Sequence, residues 1–241
     1  MLTRHSLYLV ISAILTASVG GCPSWAQRSS AAATGEYNPA INPADFVPQI
    51  ENKYFTLKPG AKFTYRNAAG TERIEYTVTN ETKELMGVTT TGVRVTEWLN
   101  GRLKEDTIDW YAQDKAGNVW YFGEAVNNYK DGRLIHHRGS WEAGVDGAKP
   151  GIIMPGNPRI GETYRQEYYK GVAEDMGTII ATDKKVTVPY GTFENCLQIK
   201  DSTPLGSSIE YKYYCPAVGF VTLEVSASGA VLEELVDISP K

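Results

Sequence analysis

From Ala61 onward, apolar and polar side chains alternate with a period of two. That repeat belongs to strands with one packed face and one wet face. Ile74, Tyr76 and Val78 alternate with Glu75, Thr77 and Thr79, Val93 and Val95 with Arg94 and Thr96, and Ile209, Tyr211 and Tyr213 with Glu210 and Lys212. Turn signals punctuate these runs at Ala69-Gly70, Asn100-Gly101, Gly117-Asn118, Asp131-Gly132 and Ser228-Gly229, and Asn-Gly and Asp-Gly supply the positive φ of tight hairpins. Asn100 to Leu103 looks like Asp131 to Leu134, as two hairpin turns with similar exits would. No amphipathic helix of more than a turn or two follows the N-terminal segment. The expected fold is all-β: a single antiparallel sheet of about a dozen strands, strongly curved into a barrel, half-barrel or sandwich so that its edges are removed.

One stretch departs from the alternation. Between Gly139 and Gly177 the chain is dense in Gly and Pro, with aromatic and charged residues mixed in, and within it Thr163 to Tyr169 reads as a strand. This predicts one long irregular loop, either a crossover covering one end of the barrel or a functional lid.

The N-terminus constrains destination. Arg4 precedes an apolar run from Leu7 to Val19, shorter than the roughly 20 residues of a spanning helix and suited to a signal-peptide core. Two processing sites compete. Val19-Gly20-Gly21-Cys22 has the form of a lipobox, with Cys22 as the lipidated residue, and Ser24-Trp25-Ala26 has the small-x-small pattern of ordinary cleavage. The expected organisation is a signal over residues 1–26 (1–21 for a lipoprotein), a polar flexible tether over 27–53 and one β domain over 54–241. The expected location is the periplasm, soluble or lipid-anchored to the outer membrane. Loss of Arg4 leaves 23 cationic against 28 acidic side chains, a charge of −5. Without clustered cations, nucleic acid is not an expected partner, and membrane contact is expected through a lipid anchor alone.

Of three cysteines, Cys22 leaves with the signal or is acylated, and Cys196 and Cys215 remain. In an oxidising compartment such a pair is expected to bond. Matching apolar faces, however, sets Leu197 opposite Tyr213 and Cys215 opposite Asn195. A disulfide then needs a one-residue bulge or a different register.

Four motifs carry a resemblance: Asp109-Trp110-Tyr111-Ala112-Gln113-Asp114 running on to Gly117-Asn118-Val119-Trp120-Tyr121-Phe122-Gly123-Glu124; the 139–177 stretch; Val188-Pro189-Tyr190-Gly191-Thr192-Phe193; and Tyr213-Tyr214-Cys215-Pro216-Ala217-Val218-Gly219-Phe220-Val221. They resemble an uncharacterised family of bacterial exported β-rich proteins and lipoproteins. The last two also resemble a broader pairing in exported β-proteins, a V-P-x-G-x-F strand entry followed by a Y-x-P-G-x-G exit, with Ala217 where Gly is usual. The resemblance implies a β-rich envelope protein and supplies no reaction.

Candidate chemistry is sparse. His136 and His137 are strand neighbours that point to opposite faces, so no metal site is expected, nor any cofactor. Asp114 to Asn118 reads as a hairpin turn capped by Asp114 rather than a calcium loop. No G-x-S-x-G elbow is present, which argues against a serine hydrolase. Glu105 and Asp109 share a strand face, and Glu167, Glu174 and Asp175 lie in the unusual segment with Arg165. Glu167, Asp175 and Arg165 are the catalytic candidates of an enzyme acting on a carbohydrate or small metabolite by acid/base chemistry. Trp110, Trp120, Tyr121, Trp141, Tyr168 and Tyr169 are the candidates for ligand binding. The leading expectation is non-catalytic binding of a small or lipidic ligand, or of an envelope partner. A cavity with converging carboxylates and Arg165 would favour the enzyme, and an apolar cavity or none would favour binding or structure.

Overall fold

This computed structural model describes residues 37–240. The expected signal, Cys22 and the first part of the expected tether lie outside the described residues. Three short strands lead in: β1 (Phe46–Val47), β2 (Ile50–Asn52) and β3 (Phe55–Leu57). A first meander follows, with β4 (Lys62–Arg66), β5 (Glu72–Leu85), β6 (Val88–Leu99), β7 (Arg102–Asp114) and β8 (Val119–Lys130). Next come β9 (Arg133–His136), β10 (Trp141–Glu142), β11 (Lys149–Met154), β12 (Thr163–Arg165) and β13 (Glu167–Tyr168). A second meander ends the chain: β14 (Met176–Val188), β15 (Gly191–Ser202), β16 (Ile209–Cys215), β17 (Phe220–Ser226) and β18 (Val231–Ser239).

The hairpins form where the turn chemistry requires them. Asn100 and Gly101 have φ of 50° and 75°, and Asp131 and Gly132 of 51° and 75°, the paired positive values of tight hairpin turns. Within each meander neighbours in sequence are neighbours in the sheet, and β18 pairs antiparallel with β4 to join the two. The sheet has 16 strands, more than the alternation alone revealed, because the 139–177 stretch contributes short ones.

That stretch is the seam of the barrel. β11 adds to β8, β13 adds to β11, and β12 adds to β14. Only Gln166 separates β12 from β13, so one short segment carries both free edges and nearly closes the sheet. Its glycines reflect crowding: a Cβ on Gly151 would run into the backbone of Gln166 and Glu167. The expected irregular loop is therefore a run of short strands and turns that brings the two edges together.

Inside the barrel, one end is apolar. Tyr65, Ile179, Leu197, Ile199 and Leu235 are fully buried, each aliphatic side chain contributing about 1.5–3 kcal/mol by leaving water, and the Tyr65 hydroxyl donates to the Val221 carbonyl at 2.7 Å. The β2–β3 hairpin plugs this end, with Phe55 against Tyr111, Phe220 and Tyr214 at ring separations of 5.1, 4.9 and 6.3 Å. Val93, Val95, Ile74 and Val78 face inward as the alternation predicts.

Two expectations are corrected. Leu197 pairs with Tyr214 rather than Tyr213, so Glu210, Lys212 and Tyr214 face inward while Tyr211 and Tyr213 face out. In this register Cys196 and Cys215 lie opposite each other and are bonded, with S–S 2.05 Å and both side chains buried. Secondly, residues 37–53, read as part of the tether, lie against the barrel. β1 pairs with β7, Phe46 packs on Phe122 and Trp120 with ring separations of 5.6 and 6.3 Å, and the Tyr37 hydroxyl donates to Pro150 at 2.9 Å. The polar composition concealed three apolar anchors, Tyr37, Ile41 and Phe46. No helix among the described residues is long and apolar enough to cross a membrane.

Candidate functional site

Above the apolar end the interior turns polar, and strand parity explains how. On β7, Glu105, Thr107, Asp109 and Tyr111 share the inward face. On β8, a bulge at Phe122–Gly123 shifts the parity, so that both Tyr121 and Glu124 point in. Gly123 has φ 137°, and a Cβ there would run into the Trp141 carbonyl; Gly permits both the bulge and the close approach of β10. On β16 to β18 the corrected register presents Lys212, Tyr214, Glu224 and Glu233 to the same space.

These side chains line a cavity of about 100 Å³. Its lining combines aromatic faces (Phe55, Tyr76, Tyr111, Tyr121) with Glu124, Glu167, Asp175, Lys212, Glu224 and Glu233. Tyr111 and Tyr121 stack at 4.9 Å and donate to the two oxygens of Asp109 at 3.2 and 3.0 Å. Tyr76 donates to Glu233 Oε2 at 3.2 Å. Gln166 donates to Asp201 Oδ1 at 3.1 Å, and Lys212 Nζ lies 2.9 Å from Asp201 Oδ2 and 4.0 Å from Glu224 Oε2. A second cavity of about 180 Å³ shares Glu224 and Glu233 with the first and is lined further by Glu72, Glu97, Lys104 and Glu210.

Glu167 is strongly perturbed. Burial pushes its carboxyl well above the usual carboxylate range, and Asp175 and Glu124 push it the same way, against the Trp141 indole that donates to Glu167 Oε2 at 3.1 Å and the Lys212 charge. Burial and the neighbouring acids therefore favour the protonated form of Glu167. For Lys212 burial opposes the charge, but Asp201 and Glu224 outweigh it and raise the ammonium well above its ordinary range. Burial also raises Tyr214 and Tyr164.

The sequence candidates divide. Glu167, Asp175 and Tyr121 line the cavity, and Trp141 stands behind Glu167 with its ring 5.3 Å from Tyr121. Glu105 and Asp109 face the interior, buried. Arg165 is elsewhere: its guanidinium lies 4.7 Å from the Tyr168 ring and 5.6 Å from the Tyr37 ring, with Glu174 at 3.9 Å. Tyr168 belongs to that outer cluster, and Tyr169 bridges to Ala173. Trp110 points away from Asp109, over Gly92, with the Lys83 ammonium 5.8 Å from its ring. Trp120 is also outside, donating to Asp114 Oδ2 at 2.8 Å. Asp114 caps the Asn118 amide at 2.9 Å, as expected of a hairpin turn.

Sequence reasoning missed Glu124, Asp201, Lys212, Glu224 and Glu233. The parity of Glu210, Lys212 and Tyr214 was visible, but an apolar-inward rule sent it outward. Among the described residues no group of three or more His, Cys, Asp or Glu side chains is placed to hold a metal ion. In comparisons with known proteins, no family model, no curated protein and no solved structure matches the chain.

Proposed function

We propose that this chain is an exported envelope protein that binds a small polar ligand inside its barrel without transforming it. The observation that carries the reading is the cavity itself, bordered by the seam and the β2–β3 plug and lined by stacked tyrosines and carboxylates from several strands. Placing stacked rings and hydrogen-bonding acids on rigid strands is how preformed sites hold small molecules. An acyl chain gains nothing from burial against carboxylates, so the lining supports a polar ligand over a lipidic one. The buried Cys196–Cys215 bond supports an oxidising compartment, in keeping with the N-terminal signal. Native mass spectrometry of the protein taken from its own envelope tests the reading. A retained small molecule, lost from a Tyr121→Ala variant that still folds, is expected. A bare polypeptide mass, with no cavity amide shifting on addition of small polar compounds, would refute it.

One observation favours a second reading, acid/base catalysis: Glu167, whose carboxyl is pushed up by burial and by the neighbouring Asp175 and Glu124, resembles a general acid beside its partner. Arg165, whose presence in the cavity would have favoured the enzyme reading, does not line it, and Lys212 is the cation of the lining. Glu167→Gln separates the readings, because an enzyme would lose turnover while keeping its substrate and a binding protein would show no turnover to lose.

A further inference from the structure

We infer that Tyr37 is the latch of the barrel: this one side chain holds the seam shut, and its release is the movement that takes the cavity lining apart. The functional meaning of that movement rests on the binding reading above, whereas the latch itself is a property of the fold. Three short strands make the seam, and Tyr37 touches each of them. Its hydroxyl donates to the Pro150 carbonyl of β11 at 2.9 Å, its ring meets Tyr168 of β13 edge-on at 5.5 Å, and the Arg165 guanidinium of β12 lies 5.6 Å from its centre. Burial pushes the hydroxyl pKa up to about 12, against the lowering effect of Arg165, so the group remains a donor through neutral pH.

The seam is where this sheet parts most easily. β11 meets β13 at Lys149–Tyr168 and Pro150–Glu167, and β12 meets β14 at Thr163–Thr178, Tyr164–Gly177 and Arg165–Met176, whereas β5 and β6 pair from Glu72–Leu99 to Leu85–Val88. Pro150 brings no N–H to its short ladder, and local opening begins where backbone pairing is sparse. The Arg165 Nη1 atom is buried without a hydrogen-bond partner in the structure, with Glu174 at 3.9 Å, so the rings of Tyr37 and Tyr168 supply much of its hold. Opening here reaches the cavity, because Ile153 of β11, Gln166, Glu167 of β13 and Asp175 all line it. The two ends of the N-terminal strap are held by different parts of the sheet. Beyond Tyr37 it is fastened to the first meander, through β1 on β7, the Lys115 amide on the Asp45 carbonyl at 2.8 Å, and Phe46 on Trp120 and Phe122. Tyr37 can therefore leave the seam while the rest of the strap stays in place, as a hinged flap does.

Native-state hydrogen exchange, followed by NMR on the folded chain with no small molecule added, tests the inference. The Gln166 amide, which donates to the Asp175 carbonyl at 2.8 Å, reports the seam, and the Trp141 indole N–H, which donates to Glu167, reports the cavity wall. The amides of β6 report the first meander. Tyr37→Phe removes the hydroxyl alone and is expected to speed exchange at Gln166 and Trp141 together by about fivefold, with β6 unchanged. Tyr37→Ala, which loses the ring contacts as well, is expected to speed both by more than about tenfold. Ile199→Val, which loosens the apolar end, should leave the ratio of seam to β6 exchange as in the unaltered protein. Equal acceleration of all three probes in Tyr37→Ala, no acceleration, or a seam loosened as much by Ile199→Val as by Tyr37→Phe would overturn the latch. Acceleration at Gln166 without Trp141 would overturn its tie to the cavity. The binding reading stands or falls separately, on the retained mass and the amide shifts described above.

Discussion

Lys212→Met removes the buried ammonium and keeps an unbranched stem of similar length. Lys212 Nζ lies 2.9 Å from Asp201 and 4.0 Å from Glu224, whose side chains are 4% and 8% exposed. At an effective dielectric of about 20 these separations correspond to about 6 and about 4 kcal/mol of attraction. Against them stands a desolvation cost of several kcal/mol for the ammonium itself. Removing it takes from two buried carboxylates a charge that offsets them, and breaking such an arrangement costs about 3–5 kcal/mol. In a domain of this length that corresponds to a drop in Tm of roughly 10 °C, read by calorimetry or circular dichroism at neutral pH. The raised folded-state value of Lys212 sets the pH window. Its contribution is complete below the ordinary lysine value of 10.5 and disappears as pH rises through the folded value. The gap between wild type and variant should therefore stay flat around neutrality and close in strong alkali. Adding Asp201→Asn to the variant should recover more than half of the loss, because it removes one of the two charges left behind. A Tm unchanged by Lys212→Met at neutral pH would refute the electrostatic account of the barrel interior.

Three further perturbations test separate parts of the structure. Glu167→Gln should stabilise the fold increasingly as pH rises from the ordinary value of 4.5. The folded carboxyl retains a proton that the unfolded one releases, so wild-type stability falls across that window. Urea midpoints at about pH 4 and about pH 7 measure it, and an identical difference at both would contradict the protonated state. Gly151→Ala forces a methyl into the Gln166 backbone and should cost about 1–3 kcal/mol as an overpacked contact, with hydrogen-exchange protection lost in β11 and β13 before the meanders; uniform loss, or none, would contradict the seam. Cys196→Ser opens a bridge spanning 19 residues and should cost about 3 kcal/mol in the chain-entropy account. A denaturation midpoint equal to wild type would refute that contribution.

The alternation announced the fold well because both meanders are made of hairpins. Ile74, Tyr76 and Val78, and Val93 and Val95, occupy the faces their parity assigns, and Asn100-Gly101 and Asp131-Gly132 turn where their conformational freedom allows. Parity failed on β16, where both faces are mixed. An apolar-inward rule chose Ile209, Tyr211 and Tyr213, yet Tyr213 lies outside, accepting a hydrogen bond from Gln198 at 2.9 Å, and Lys212 lies inside with its carboxylates. Which face turns inward was set by partners on β15 and β17, and a single strand does not carry that information. The site was half legible for the same reason. Glu167, Asp175 and Tyr121 stood out by position, whereas Glu124 is aimed inward by a bulge at Gly123 that the alternation does not reveal. In the 139–177 stretch, Gly and Pro were read as signs of an irregular loop. Pro150 is buried and Gly151 abuts Gln166, so there they mark crowding.

A chain that needed only a stable barrel would fill it with aliphatic side chains, as the plugged end with Leu197, Ile199 and Leu235 shows this one can. Buried carboxylates at Glu97, Glu105, Asp109, Glu124, Glu167, Asp201, Glu210 and Glu224 instead place like charges close together in a low-dielectric space, which lowers stability and drives Glu167 to keep its proton. The scaffold offsets the cost with a bonded Cys196–Cys215 pair, the Phe55 plug and a seam held by backbone pairing. Stability sacrificed in one coherent region of an otherwise well-packed fold is the pattern expected of a site under functional demand. The direction of the substitutions is therefore diagnostic. Replacing Glu167 with its amide should make the protein more stable and a poorer binder together, whereas an acid retained for structure alone would give a less stable protein when replaced.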